Sequence, residues 1–146
     1  MPRMLLQKVL PTAYAPLLAV ETYARTHNDK RTFHLVKILA SVINGCSYCV
    51  AMHTRDARKQ GESEERLAAL QADWRAVDLW SPAEHAALAL TEEATVLGEG
   101  GVSDAVYDEA VAQWKEKGVA GLIMAIAAIN MWNRVAITTG MHAEDL

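Results

Sequence analysis

Nearly every segment of the chain repeats its apolar residues at helical spacing, and none alternates them as a half-buried strand would. That pattern predicts an all-α fold. Only 8 Gly and 4 Pro interrupt 146 residues, too few for the many turns of a β-sandwich or barrel. One domain over residues 1–146 is expected at this length, and 51% hydrophobic residues can supply its core. The expectation is a compact bundle of about six to seven helices.

Local signals divide the chain. A first helix carries Leu17, Leu18, Val20, Tyr23 and Ala24 as its apolar stripe and ends near His27-Asn28-Asp29. A second spans roughly Thr32 to Val42. Asn44-Gly45 breaks it, because both residues tolerate a left-handed backbone. A third starts near Cys46 and stops at Gly61. Ser63-Glu64-Glu65-Arg66 is a helix start that leads to Leu67, Leu70 and Trp74. Ser81-Pro82-Ala83-Glu84 is the clearest start, with a capping serine, proline at the first helical position and a glutamate three residues after the cap. Its helix reaches about Leu97, before Gly98-Glu99-Gly100-Gly101. Ser103-Asp104 starts the next, which runs to Glu116, with Gly118 as the break. The last helix, Val119 to Thr138, is apolar almost all round, as a buried helix or an oligomer seam would be.

A formal charge of -4 argues against a generally basic nucleic-acid binder. The amino terminus lacks the apolar core of an export signal. The most apolar run, Val119 to Ile129, has about half the length a bilayer span needs. A cytoplasmic protein with no membrane or nucleic-acid partner is therefore expected. Two cysteines are too few for a disulfide scaffold, and in that compartment they stay reduced unless redox chemistry is their task.

Both cysteines fall in Gly45-Cys46-Ser47-Tyr48-Cys49-Val50-Ala51-Met52-His53. On a helix starting near Gly45, Cys46, Cys49 and His53 share one face. Exposed N–H groups and the positive dipole end in the first turn favour a thiolate, the nucleophilic form. His53 is placed to exchange a proton with Cys49, and Asp56 to orient the imidazole. Attack on a hydroperoxide gives a sulfenic acid, which a second cysteine condenses to a disulfide. Proximity to His53 favours Cys49 as the attacking residue, whereas position in the first turn favours Cys46, so the spacing leaves the roles open. Zinc is the competing use of Cys46, Cys49 and His53. It lacks a fourth ligand at any familiar spacing, so neither metal nor cofactor is expected.

The run Leu35-Val36-Lys37-Ile38-Leu39-Ala40-Ser41-Val42-Ile43-Asn44-Gly45-Cys46-Ser47-Tyr48-Cys49, followed by Met52-His53-Thr54-Arg55-Asp56-Ala57-Arg58, resembles the AhpD-like alkylhydroperoxidase group of the carboxymuconolactone decarboxylase superfamily. Trp80-Ser81-Pro82-Ala83-Glu84 and Ala125 to Arg134 extend the likeness to about residues 10 to 140. The resemblance implies an all-helical subunit assembling as trimers or hexamers. It also implies a thiol peroxidase in which Cys49 attacks the peroxide, Cys46 resolves and His53 relays protons. The reductant it implies is an external dithiol on a lipoyl-bearing or thioredoxin-like protein. Where such proteins carry a relay glutamate before the motif, this chain has His34, which can also relay protons but holds no permanent negative charge.

Other polar residues carry weaker signals. Tyr48 packs beside the cysteines or gates them, Trp132-Asn133-Arg134 belongs to core and seam, and His27, His85, His142, Glu92 and Glu93 read as loop or surface. Two other functions compete: the lactone decarboxylation that names the superfamily, and a non-enzymatic thiol redox sensor.

Overall fold

In the computed structural model, which describes residues 1–146, the chain forms α1 (Leu6–Val9), α2 (Tyr14–Thr26), α3 (Lys30–Ile43), α4 (Ser47–Lys59), α5 (Glu64–Gln71), α6 (Pro82–Thr95) and α7 (Asp104–Thr139). Three short 3-10 turns complete it, with no strand beyond an isolated bridge between Gly98 and Gly101.

Most helices start where a side chain can satisfy the orphan N–H groups of the first turn. Asp29 accepts from Thr32 N at 2.9 Å, Ser63 from Arg66 N at 3.2 Å and Ser103 from Val106 N at 3.4 Å. Ser81 and Glu84 form the reciprocal box their spacing predicts, at 3.1 and 2.9 Å. Arg66 then ties α5 to the start of α6. Its guanidinium reaches Glu62, both oxygens of Glu84 and the Leu79 carbonyl, and lies over the Trp80 ring.

α3 is the central helix. Phe33, Leu35, Val36, Ile38 and Leu39 are all buried on it, Phe33 and Val36 facing α2 and α7 with Leu122 and Ile126, and Leu35, Ile38 and Leu39 facing α5 and α6 with Leu67, Leu70 and Leu88. Each such side chain contributes about 1.5–3 kcal/mol through removal from water. A third, smaller cluster joins Cys46 and Cys49 to Ala40, Ile129 and Ala136. The redox motif therefore sits where α3, α4 and α7 meet.

Three expectations change. α2 does not bury the stripe expected of it: Leu18 and Tyr23 are half exposed, and Ala24 is its single buried residue. The inward face runs through Leu17, Glu21 and Ala24, because that face closes on α3 and α7. The break before the last helix lies at Lys115 (φ 61°, ψ 166°), not at Gly118. Gly118 is helical and leaves room for Trp114, whose Cβ an added methyl would meet at 2.9 Å. Finally, α7 is long and apolar enough to span a membrane by composition, more than its 11-residue apolar run suggests. In the fold, Leu122, Ala125, Ile126 and Ile129 turn that apolarity into core.

Candidate redox site

The cysteines are placed by the way α3 ends. Gly45 takes the left-handed conformation (φ 70°) and Cys46 N donates to Ser41 O at 2.9 Å, the closing bond of a Schellman-type end. The chain thus turns straight into α4 with Cys46 as its cap, the sulfur accepting from Cys49 N at 3.3 Å. A partly buried amide network holds the turn against α7. Asn44 Nδ2 donates to Asn130 and Asn133, each at 2.9 Å, and Asn133 Nδ2 donates to Ser41 Oγ at 3.0 Å. Asn133, expected in the core, is fully buried there. Arg134 stays exposed and bonds back to Asn130.

Cys46 and Cys49 are joined as a disulfide with their Cα atoms 5.3 Å apart, and both are buried. They differ in access. A cavity of about 270 Å³ is lined by Cys49, His53, Tyr14, Tyr48, Met52 and Trp132 among others, and Cys46 is not part of its wall. Most of the lining is hydrophobic. Its charged groups are Glu21 and Lys37.

His53 lies one turn beyond Cys49, as the spacing predicts, and is 6% exposed with Nδ1 lacking a partner. Burial, with positive charge at Lys37 and His34 nearby, holds its pKa well below the ordinary histidine value. Asp56 does not orient this ring: its carboxylate contacts Arg55 Nε at 3.3 Å. Asp56 acts instead on His34, where its charge opposes a lowering caused mainly by burial. His34 is half-buried, its ring centroid 6.0 Å from that of His53, with Nε2 3.0 Å from Gln60 Nε2 and Nδ1 unpartnered. A second groove, lined by Glu21, His34, His53 and Asp56 among others, also reaches His53. No group of three or more His, Cys, Asp or Glu side chains is arranged to hold a metal ion.

The ion pair in the cavity has no motif in the sequence. Lys37 on α3 is fully buried, and its ammonium is bonded to both carboxylate oxygens of Glu21 on α2. Trp132 Nε1 donates to the same carboxylate at 3.0 Å, and the Tyr14 ring packs on Trp132 with centroids 5.5 Å apart. The one sequence clue is that Glu21 lies four residues after Leu17 and three before Ala24, on the inward face of α2. Two glutamates read as solvated are also engaged. Glu92 accepts from Trp74 Nε1 and Arg75, while Glu93 holds the Ser103 backbone and hydroxyl. His27, His85 and His142 are exposed, as expected.

Comparison with known proteins places this arrangement. The model of the carboxymuconolactone decarboxylase family matches residues 10–93. The chain belongs to that family. It is 37% identical to the uncharacterized protein YdfG of Bacillus subtilis over 94% of both chains. A solved Agrobacterium tumefaciens protein of unknown function, suggested to be an antioxidant-defence protein AhpD, superposes with a TM-score of 0.92. It shares 31% identity over 97% of this chain and 98% of its own. The alkyl hydroperoxide reductase AhpD of Corynebacterium aurimucosum is 30% identical over 53% of this chain and 40% of its own length. The protein is thus an AhpD-like, all-α member of the superfamily, with a Cys-x-x-Cys pair able to form a disulfide.

Proposed function

We propose that the protein is a thiol-dependent alkylhydroperoxide reductase. The observation that carries this reading is the asymmetry of the pair: the cavity reaches Cys49, while Cys46 lies outside its wall at disulfide distance. The Cys49 thiolate attacks the outer peroxide oxygen, giving a sulfenic acid and an alcohol. The Cys46 thiol then displaces water to form the disulfide, and an external dithiol returns two electrons and two protons. His53, which enters this cycle uncharged, takes part in proton transfer beside Cys49, with His34 behind it toward solvent. The apolar lining suits an organic hydroperoxide, and the reductant is a lipoyl-bearing or thioredoxin-like protein of the cytoplasm. The subunit works as a homotrimer or homohexamer.

Lactone decarboxylation would need a site for the substrate carboxylate. The cavity's one cation, Lys37, is already paired with Glu21, which favours the peroxidase reading. Dithiol-dependent consumption of tert-butyl hydroperoxide tests it. Turnover by the wild type that falls to the uncatalysed rate in Cys49→Ser is expected; full activity in that variant overturns the assignment.

A further inference from the structure

A fully buried lysine needs an explanation. Removing an ammonium and a carboxylate from water costs several kcal/mol each, and an apolar pair of similar volume often serves stability as well or better. Lys37 and Glu21 are nonetheless placed in the wall of an otherwise largely apolar cavity, the same one that reaches Cys49. An ammonium has three donors. Glu21 takes two with its two oxygens, the Phe33 ring flanks Nζ at 4.5 Å, and no other hydrogen-bond acceptor engages the third. Glu21 is itself fixed by Trp132.

Reduction of an alkyl hydroperoxide by a thiolate releases an alkoxide, a strong base that needs a proton as the O–O bond breaks. Most of the cavity wall is hydrophobic, and the Lys37 ammonium is the one cation in it. Of the other N–H groups in the cavity wall, that of Trp132 is committed to Glu21, and the uncharged His53 serves the Cys49 sulfur. We propose that Lys37 is the catalytic acid that protonates the departing alkoxide, with Glu21 as its positioning residue. This rests on the hydroperoxide reading given above.

The step balances. The Cys49 thiolate forms an S–O bond to the outer oxygen, which keeps its hydrogen, and the O–O bond breaks. Sulfur loses two electrons and the peroxide gains them. The alkoxide takes a proton from the Lys37 ammonium, leaving alcohol, Cys49 sulfenic acid and a neutral amine. Condensation with Cys46 releases water. After the external dithiol has reduced the disulfide, the Cys49 thiol gives its proton to the Lys37 amine and restores both groups. Burial lowers the Lys37 pKa while Glu21 opposes the lowering, which suits a group that both gives and regains a proton.

The test uses three reagents on reduced protein: tert-butyl hydroperoxide, whose leaving group needs a proton; peroxyacetic acid, whose acetate does not; and iodoacetamide, which reports the thiolate alone. In Lys37→Met, the hydroperoxide rate divided by the alkylation rate is expected to fall about 100-fold. The peroxyacetic ratio should stay within about threefold of wild type, because its leaving group makes no demand on an acid. An equal fall for both peroxides, or no fall, overturns the proposal. Should Lys37→Met lose its helical circular dichroism, Lys37→Arg keeps a cation that cannot give up its proton. The same selective loss is expected there, and an unchanged hydroperoxide ratio refutes the role. A wild type inert to every hydroperoxide would instead bring down the peroxidase reading on which the proposal rests.

Discussion

At the scale of single residues, the buried histidine sets a measurable pH response. The folded pKa of His53 lies well below its ordinary value of 6.5, mainly through burial, so folding favours the neutral ring. The stability it contributes is complete above about pH 6.5 and is lost as pH falls toward the lower folded value, because only the unfolded chain takes up the proton there. His34 shifts the same way. The urea midpoint is expected to fall between about pH 7 and pH 5, and His53→Phe should flatten that slope. An unchanged slope in the variant would show that His53 titrates normally in the fold. Glu84 and Asp145, whose pKa values are lowered from 4.5 and 3.8, act below this window. Cys46, Cys49 and His53 were legible from spacing because they share one turn-to-helix segment. The Lys37–Glu21 pair was not. Its members are 16 residues apart on two helices, and a lysine in an apolar stripe reads as a solvated side chain until the packing of α2 on α3 is known.

At the scale of elements, punctuation was legible wherever a side chain fixes the backbone itself. Ser81 with Glu84 and the Asn44-Gly45 turn are local devices, and both form as read. The Lys115 kink is not local. A lysine gives no sign of positive φ, and the position is set by α7 having to bend onto α6 and α2 while Trp114 Nε1 donates to Ala83 O. Positive φ at a non-glycine residue with extended ψ costs about 1–3 kcal/mol. Because Lys115 is exposed, Lys115→Gly relieves that strain without loss of packing. After the added chain entropy of glycine, it should stabilise by about 1 kcal/mol and raise the melting temperature by a few degrees. A lower melting temperature would mean the backbone there is unstrained. Gly121 shows the reverse case. The end of α2 comes so close that an added Cβ would lie 2.5 Å from His27 O, and Asn28 Nδ2 bonds Gly121 O at 2.8 Å. Nothing in a run of small apolar residues distinguishes it.

At the scale of the whole molecule, the subunit buries its redox pair yet leaves a different face apolar. Leu97, Tyr107 and Ile123 are 67%, 44% and 47% exposed, around a groove formed by α6, the following loop and α7. A domain this small cannot cover that face alone, so a homo-oligomer is the expected result of light scattering at micromolar concentration. A strictly monomeric mass would contradict it. The all-α class followed from periodicity, since each helix needs only its own neighbours in sequence. The cavity joins α2, α3, α4 and α7, and no local pattern encodes such a meeting. The central claim is that Cys49, reached by that cavity, takes the oxygen, and that Cys46 follows. Intact mass spectrometry after one equivalent of tert-butyl hydroperoxide tests this most directly. Cys46→Ser should gain one oxygen atom, trapped as a sulfenic acid on Cys49, while Cys49→Ser should gain none; oxygen appearing on Cys46 in the Cys49→Ser protein would contradict the account.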